Sequence, residues 1–117
     1  MTSAPQKIDL VFYRTVAGGE PVRDWLLELT TEQRHAIGMD LMRVQFGWPV
    51  GMPLVRPLGQ GLFEVRTNLP GKTTARVIFC FHAGELYALH AFIKKTRATP
   101  PAELDVARKR KAEMENG

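Results

Sequence analysis

An apolar segment that runs directly into a cluster of cations is the feature that most constrains how this chain folds. Residues 86–93 are almost wholly apolar, and residues 75–82 are apolar on both faces over most of their length. Strands of this composition are buried on both sides, so we expect them at the centre of one sheet with helices packed against it. Lys94, Lys95 and Arg97 follow at once, and a buried strand holds such charges more firmly than a loop does.

The other elements follow from apolar spacing and from helix-starting residues. Pro21 suits the first turn of a helix, because its missing N–H costs nothing there. Thr30 with Gln33 three residues later is a capping-box pattern, which starts a second helix. The predicted segments are strands at 8–13, 62–67, 75–82 and 86–93, helices from 21 and from 30 to about 47, and a helix at 100–113 capped by Thr99. This order predicts an α+β fold in a single domain, residues 1–117, with an antiparallel four-stranded sheet, an N-terminal helical hairpin and a C-terminal helix (β-α-α-β-β-β-α).

The segment between the second helix and the first strand of the hairpin is rich in glycine and proline. Residues 47–61 contain Gly47, Pro49, Gly51, Pro53, Pro57, Gly59 and Gly61. These residues interrupt regular structure, so the sequence predicts a long irregular connection. Loops of this length in a small domain often carry function.

Composition excludes several classes of protein. A hydrophobic content of 44% supports a folded core and argues against disorder. The single cysteine, Cys80, cannot form an internal disulfide, and its apolar surroundings indicate a buried thiol. Residues 1–13 lack a secretory signal, and no apolar run is long enough to span a bilayer. We therefore expect a cytoplasmic protein.

Positive charge is concentrated in the second half of the chain. Residues 1–55 hold 5 Lys/Arg and 6 Asp/Glu, a net charge of −1, whereas residues 56–117 hold 11 and 6, a net charge of +5. With a pI of about 9.6, this asymmetry indicates an anionic partner, of which nucleic acid is the first candidate. The alternative is a basic protein whose charges serve only solubility.

Arg66 and Arg76 occupy the two strands of the predicted hairpin. They lie across from or diagonal to each other, about 5 to 8 Å apart at their Cβ atoms. Like charges at that distance repel, which a protein tolerates when an anion sits between them. The alternative is that each arginine has its own carboxylate partner, such as Glu64 or Glu85, and is simply exposed.

Lys94 and Lys95 end the last strand and point to opposite faces of it. At most one of them can therefore share a face with Arg66 and Arg76. A lysine whose charged form is disfavoured by neighbouring cations can act as a general base, and an arginine fork can hold a phosphate in a bidentate manner.

The remaining polar residues do not indicate a metal site. The three histidines lack the spacing of metal ligands, and the acids are scattered. The basic run at 108–111 is either a solvated helix face or a contact to an RNA backbone. The ring of Phe92 either stacks on a base or lies in the core.

Several of these segments together resemble a known toxin family. The matching segments are residues 61–66, 75–79 and 89–97, then Thr99-Pro100 and Ala107-Arg108. The most specific piece is Phe-x-Lys-Lys-Thr at 92–96. In these motifs and in the order of its elements, the chain resembles the phage-derived HigB-like branch of the RelE/ParE toxin superfamily, over nearly its whole length.

The resemblance implies a RelE-like fold and a type II toxin of a toxin–antitoxin pair. Such toxins act as metal-independent, ribosome-dependent endoribonucleases that cut mRNA, with no cofactor. The catalytic residues implied here are Arg66 and Arg76, which would grip the phosphate, with Lys94 or Lys95 as base, acid or charge stabiliser. The RNA-binding surface implied around them comprises Arg56, Lys72, His90, Phe92, Thr96, Arg97, Arg108 and Lys109. The implied partners are the ribosome, mRNA and a cognate antitoxin of helix-turn-helix type, with no membrane partner.

Two other functions fit the same family resemblance. No tyrosine or histidine follows His90, so the general acid of a nuclease has no obvious candidate of those types. ParE-like relatives inhibit DNA gyrase instead, and a non-catalytic RNA-binding module is the third possibility. The retained arginines and lysine favour the nuclease.

Overall fold

The computed structural model describes residues 7–94 and 98–116. The elements in chain order are β1 Leu10–Phe12, α1 Pro21–Leu27, α2 Thr31–Gly47, β2 Val55–Gly59, β3 Leu62–Leu69, β4 Thr73–His82, β5 Glu85–Lys94 and α3 Pro101–Asn116. The strands form one sheet in the order β1-β5-β4-β3-β2. The α+β class is therefore confirmed, and the two apolar strands β4 and β5 are interior strands of the sheet, as predicted.

The described sheet has five strands, so the prediction of four antiparallel strands was wrong. The short β1 pairs with β5 in parallel, whereas the other neighbours are antiparallel. The additional strand, β2, lies inside the segment that was expected to be an irregular connection.

The position of β2 at the edge of the sheet explains how a strand with a proline can form there. The Arg66 N–H donates to the carbonyl of Leu54 at 3.0 Å. The backbone N–H and C=O groups point toward β3 at every second residue from Leu54 onward. The nitrogen of Pro57, three residues after Leu54, therefore points away from β3. A proline is tolerated at such an edge position because no ladder bond needs its nitrogen. A bulge between Pro57 and Gly59 then shifts the register.

Both N-terminal helices pack on one face of the sheet. The capping box of α2 is present as predicted, with Thr30 accepting from the Gln33 N–H at 3.1 Å and Gln33 accepting from the Thr30 N–H at 3.0 Å. The core on this side is a cluster of buried aliphatic and aromatic side chains: Val22, Ile37, Leu41, Val44, Val55, Val65, Leu69, Ala75, Val77, Phe79, Leu86, Ala88 and Ala91. Burial of this apolar surface is the main force that holds the layers together.

Helix α3 covers the opposite face of the sheet. A second cluster fills this interface: Tyr13, Leu62, Ile78, Cys80, Leu89, Phe92 and Ala107. Arg110 donates to the carbonyl of Leu89 at 2.8 Å, and the Tyr13 hydroxyl donates to Glu113, so polar bonds also fasten the helix. In the described part of the chain, no helix is long and apolar enough to cross a membrane.

The start of α3 differs from the sequence prediction. The helix begins at Pro101, so the cap position is Pro100 and Thr99 lies one residue earlier. The Thr99 hydroxyl instead contacts the sheet, where it donates to Glu64 and accepts from Arg76. The predicted cap is thus a polar link between the entry to α3 and the sheet.

Candidate functional site

The face of the sheet beneath α3 carries the predicted arginine pair. Arg66 on β3 lies directly opposite Arg76 on β4, and Arg76 lies opposite Phe92 on β5. One step toward the end of β5, Lys94 lies opposite Thr74. Arg66, Arg76 and Lys94 therefore share one face of three neighbouring strands, as the alternation of side chains requires.

Arg76 is a buried residue with an internal partner. Its side chain is 1% exposed, and its Nη1 lies 3.6 Å from Oε1 of Glu64, which is 0% exposed. Arg76 also donates to the Thr99 hydroxyl at 3.4 Å. Of the second alternative drawn from the sequence, the structure shows the carboxylate partner, Glu64, but both members of the pair are buried rather than exposed. The Arg76 side chain therefore does not lie open to solvent, and the catalytic role that the resemblance implies for it stays a prediction.

The pKa of Arg76 is lowered from its ordinary value, chiefly by burial. The negative charge of Glu64 opposes this change, whereas the positive charges of Arg66 and Arg56 add to it. Arg66 and Arg56 are therefore both close enough to Arg76 to disfavour its charged form. Glu64, which lies opposite Arg56 on β2, is the acid at the centre of this group.

Arg66 and Lys94 stand on either side of this buried pair. Both side chains are partly exposed, and within residues 7–94 and 98–116 neither lies within ion-pair distance of a carboxylate. The Nε of Arg66 is buried and lacks a hydrogen-bond partner among those residues. Their strands are separated by β4, which places the strand axes about 10 Å apart. Long side chains at that separation can both reach one phosphodiester.

The other candidates on the strands and turns lie at the edge of this face or outside the described residues. Arg56 is half-buried on β2, and Lys72 is exposed in the β3–β4 turn with a left-handed φ of 61°. Three candidates, Lys95, Thr96 and Arg97, lie outside the described residues. Their predicted roles stay predictions.

His90 is held by polar contacts with α3, and Phe92 is held by packing in the core. Nε2 of His90 lies 2.9 Å from Glu103, and its Nδ1 lies 3.4 Å from Arg110. Phe92 is buried in the cluster beneath α3, so the structure favours the core alternative for its ring.

The basic run on α3 faces solvent in part. Arg108 is exposed and pairs with Asp105 at 3.5 Å, and Lys109 is exposed. Lys111 pairs with Glu115 at 3.0 Å. Arg108 and Lys109 are accessible to a polyanion because both side chains are exposed. The ion pair of Arg108 does not prevent this, since exposed pairs of this kind are weak.

The sequence offered Glu64 as a possible partner of the arginines but did not reveal that its carboxylate is buried at the centre of the site. Glu64 alternates with Arg66 on one strand, which was the available signal, but alternation could not distinguish a solvated acid from a buried one. The contribution of Thr99 was also missed, because its position before Pro100 suggested a helix cap. Among the described residues, no group of three or more His, Cys, Asp or Glu side chains could hold a metal ion.

The fold and the site define a small α+β protein with a cationic patch beside a buried ion pair on one face of its sheet. Residues 24–112 match the family described as phage-derived protein Gp49-like (DUF891), and the chain belongs to that family. The family is part of the RelE/HigB-like superfamily of toxin–antitoxin toxins, and membership implies an antitoxin partner. A comparison with curated proteins finds no match.

Proposed function

We propose that this protein is the toxin of a type II toxin–antitoxin system and that it cleaves mRNA on the ribosome without a metal ion. The observation that carries the proposal is the pair Arg66 and Lys94, two partly exposed cations without a carboxylate partner in the described part of the chain. They flank Arg76 on the same face of the sheet. Membership of a toxin superfamily supports the same conclusion.

The charges of this face suit the stabilisation of a phosphodiester in its transition state. Arg56, Arg66, Arg76 and Lys94 contribute four positive charges and Glu64 one negative charge, which leaves a net charge of +3 among them. Fixed charges aimed at a developing negative charge are among the largest contributions to catalysis. Because Arg76 is held by Glu64 and Thr99, its charge stays in place throughout the reaction.

The proposed reaction uses the RNA itself as nucleophile. The ribose 2′-hydroxyl attacks the adjacent phosphorus in line and loses its proton to a base, and the bond to the 5′ oxygen breaks as that oxygen takes up a proton. The guanidinium of Arg66 holds the non-bridging oxygens. Lys94, or Lys95 beyond the described residues, serves the leaving or attacking oxygen. Arg76 acts as a buried charge and a positioning residue rather than as a direct contact.

A cell-free translation reaction followed by primer extension tests the proposal. Wild-type protein is expected to produce mRNA breaks in phase with codons when ribosomes are present and no such breaks when ribosomes are left out. Arg66→Ala and Lys94→Ala should each lower the cleavage rate about 10²- to 10³-fold, the cost of losing one preorganised stabilising group.

The matched control is Arg23→Ala, which removes an exposed arginine of α1. It changes the net charge by the same amount and should leave cleavage within about twofold of wild type, because surface substitutions away from a site have small effects. Equal losses in all three variants would show a general charge effect. Unchanged cleavage in Arg66→Ala and Lys94→Ala would refute the assignment.

The internal neutralisation of Arg76 favours one second candidate. With Arg76 paired to Glu64, the face presents fewer free cations than the resemblance implied, as expected of a ParE-like gyrase inhibitor that has lost RNA cleavage. Trapped gyrase–DNA complexes in treated cells, together with intact mRNA in the translation assay, would establish that function instead.

A further inference from the structure

Part of β3 has no strand beside it. The β2–β3 pairing runs from Gly59 opposite Leu62 to Val55 opposite Val65, and one further bond joins the Arg66 N–H to Leu54. Beyond that point, β3 continues to Leu69 with only β4 as a described neighbour.

The register shows which backbone groups this open edge presents. In an antiparallel strand, the N–H and C=O of one residue point to the same side, and the side alternates along the strand. Since the Arg66 N–H points toward β2, the N–H and C=O of Asn68 point the same way, where the described strands offer no partner. An open edge of this kind is a template for another strand.

A cleft of about 630 Å³ runs along the same edge. One wall is a single face of α2, and the other is the β3 edge from Arg66 to Asn68, with Pro53 and Leu54 at one end. The residues of the α2 wall are Ala36, Met39, Asp40 and Arg43. The cleft is therefore a groove between a helix and a strand edge.

The side chains that line the two walls indicate which kind of peptide could bind in the cleft. Met39 is 42% exposed, which is high for a large apolar side chain, and Ala36 lies one helical turn before it. Arg43 is 65% exposed and pairs with Asp40, whereas Arg66 has no carboxylate within ion-pair distance in the described residues. The cleft thus holds two cations and one anion, with an apolar strip on the helix side.

We propose that an extended segment of the antitoxin adds to the edge of β3 as a further strand in this cleft. Alternate side chains of a strand face opposite sides, so apolar residues would meet Ala36 and Met39 while acidic residues meet Arg66. The segment is therefore acidic and apolar in alternation, and main-chain bonds to Asn68 hold it. Binding requires only the antitoxin partnership that the family implies; inhibition by covering Arg66 rests on the proposed function.

The decisive variant is Asn68→Pro, which removes the outward N–H without touching the bonds between β3 and β4. Proline is compatible with an edge strand at a position whose nitrogen faces away from the sheet. Asn68→Ala is the matched control, since it removes the same side chain and keeps the N–H. The antitoxin is the product of the neighbouring gene that relieves growth arrest when it is co-expressed, and its affinity for each variant is measured by calorimetry.

The expected result is a loss of affinity of about tenfold or more for Asn68→Pro, which is the effect of one lost hydrogen bond, and a change within about twofold for Asn68→Ala. Equal affinity in both variants and wild type, or equal weakening in both, would overturn the proposal. So would a wild-type dimer that Asn68→Pro dissociates, because the edge would then pair with a second copy of the chain.

Hydrogen exchange on the wild-type complex provides a measurement that does not depend on the variant folding. The Asn68 amide should exchange freely in the toxin alone and become protected in the complex. An unprotected amide would overturn the proposal. These readouts report binding, so they can succeed when the mRNA cleavage assay fails, and the two proposals can be judged separately.

Discussion

Substitution of Arg76 by alanine should destabilise the fold severely rather than only abolish activity. If Arg76 were an exposed catalytic residue, its removal would have little structural cost. Its guanidinium instead forms a buried ion pair with Glu64 and bonds to Thr99. Arg76→Ala leaves the Glu64 carboxylate buried without that partner.

The magnitude follows from the burial of both partners. Removing one member of a buried ion pair typically costs about 3–5 kcal/mol, because the remaining charge is left uncompensated. An unfolding entropy of about 2.1 cal/mol/K per residue gives about 0.25 kcal/mol/K for 117 residues. The expected decrease in Tm is therefore about 12 to 20 °C, a large fraction of the stability of a typical domain.

Thermal unfolding monitored by circular dichroism measures this effect. Glu64→Gln should also be destabilising, since it leaves Arg76 buried without a counter-charge. The double variant Glu64→Leu with Arg76→Met should recover most of the loss, because apolar replacement of a whole buried pair is often neutral or stabilising. Arg108→Ala, which breaks an exposed pair, should change Tm by only a few degrees. An Arg76→Ala protein that melts within about 3 °C of wild type would refute the reasoning.

Two smaller effects follow from the helix cap and the buried thiol. Thr30→Ala removes one bond of the capping box and should cost about 1 kcal/mol in the free energy of unfolding measured with urea; no change would show that the cap contributes nothing. Burial raises the pKa of Cys80 from 9.0 to about 11, so the protonated thiol is favoured in the folded state. Its contribution to stability is present below pH 9 and is lost as the pH rises toward 11, and wild type should lose more stability over that interval than Cys80→Ala does.

Local signals in the sequence were sufficient for much of the fold. The capping box at Thr30 predicted the start of α2, because the two bonds involve only neighbouring residues. The apolar content of β4 and β5 predicted their interior places in the sheet, because a strand without a polar face must be covered on both sides. These features depend on nearby residues or on composition alone.

The strand β2 could not be predicted in the same way. Its prolines and glycines oppose regular structure, and only pairing with β3 makes the segment extended. Edge strands depend on such tertiary contacts, since propensity for strand is strongly affected by context. The parallel pairing of β1 likewise depends on the path of the chain, which apolar spacing does not encode.

The sequence predicted which arginines of the candidate site are neighbours but not which of them are buried. The hairpin register made Arg66 and Arg76 neighbours, and the structure places them directly opposite each other. Burial of Arg76 with Glu64 depended on α3, whose entry brings Thr99 onto the sheet. The positions of charged residues in a sequence show which side chains can contact one another. Which of these side chains stay exposed to solvent depends on the helix that covers the sheet.

The buried carboxylate explains how this cationic face can fold without an external anion. Arg66 and Arg76 lie directly opposite each other, and the charges of Arg66 and Arg56 both lower the pKa of Arg76. Without a nearby anion, these like charges would repel within a partly desolvated environment. Glu64 supplies the anion from within the chain, on the strand that also carries Arg66. Glu64 pairs with Arg76, whereas Arg66 and Lys94 have no carboxylate within ion-pair distance in the described residues, so one acid allows both a stable fold and a cationic surface.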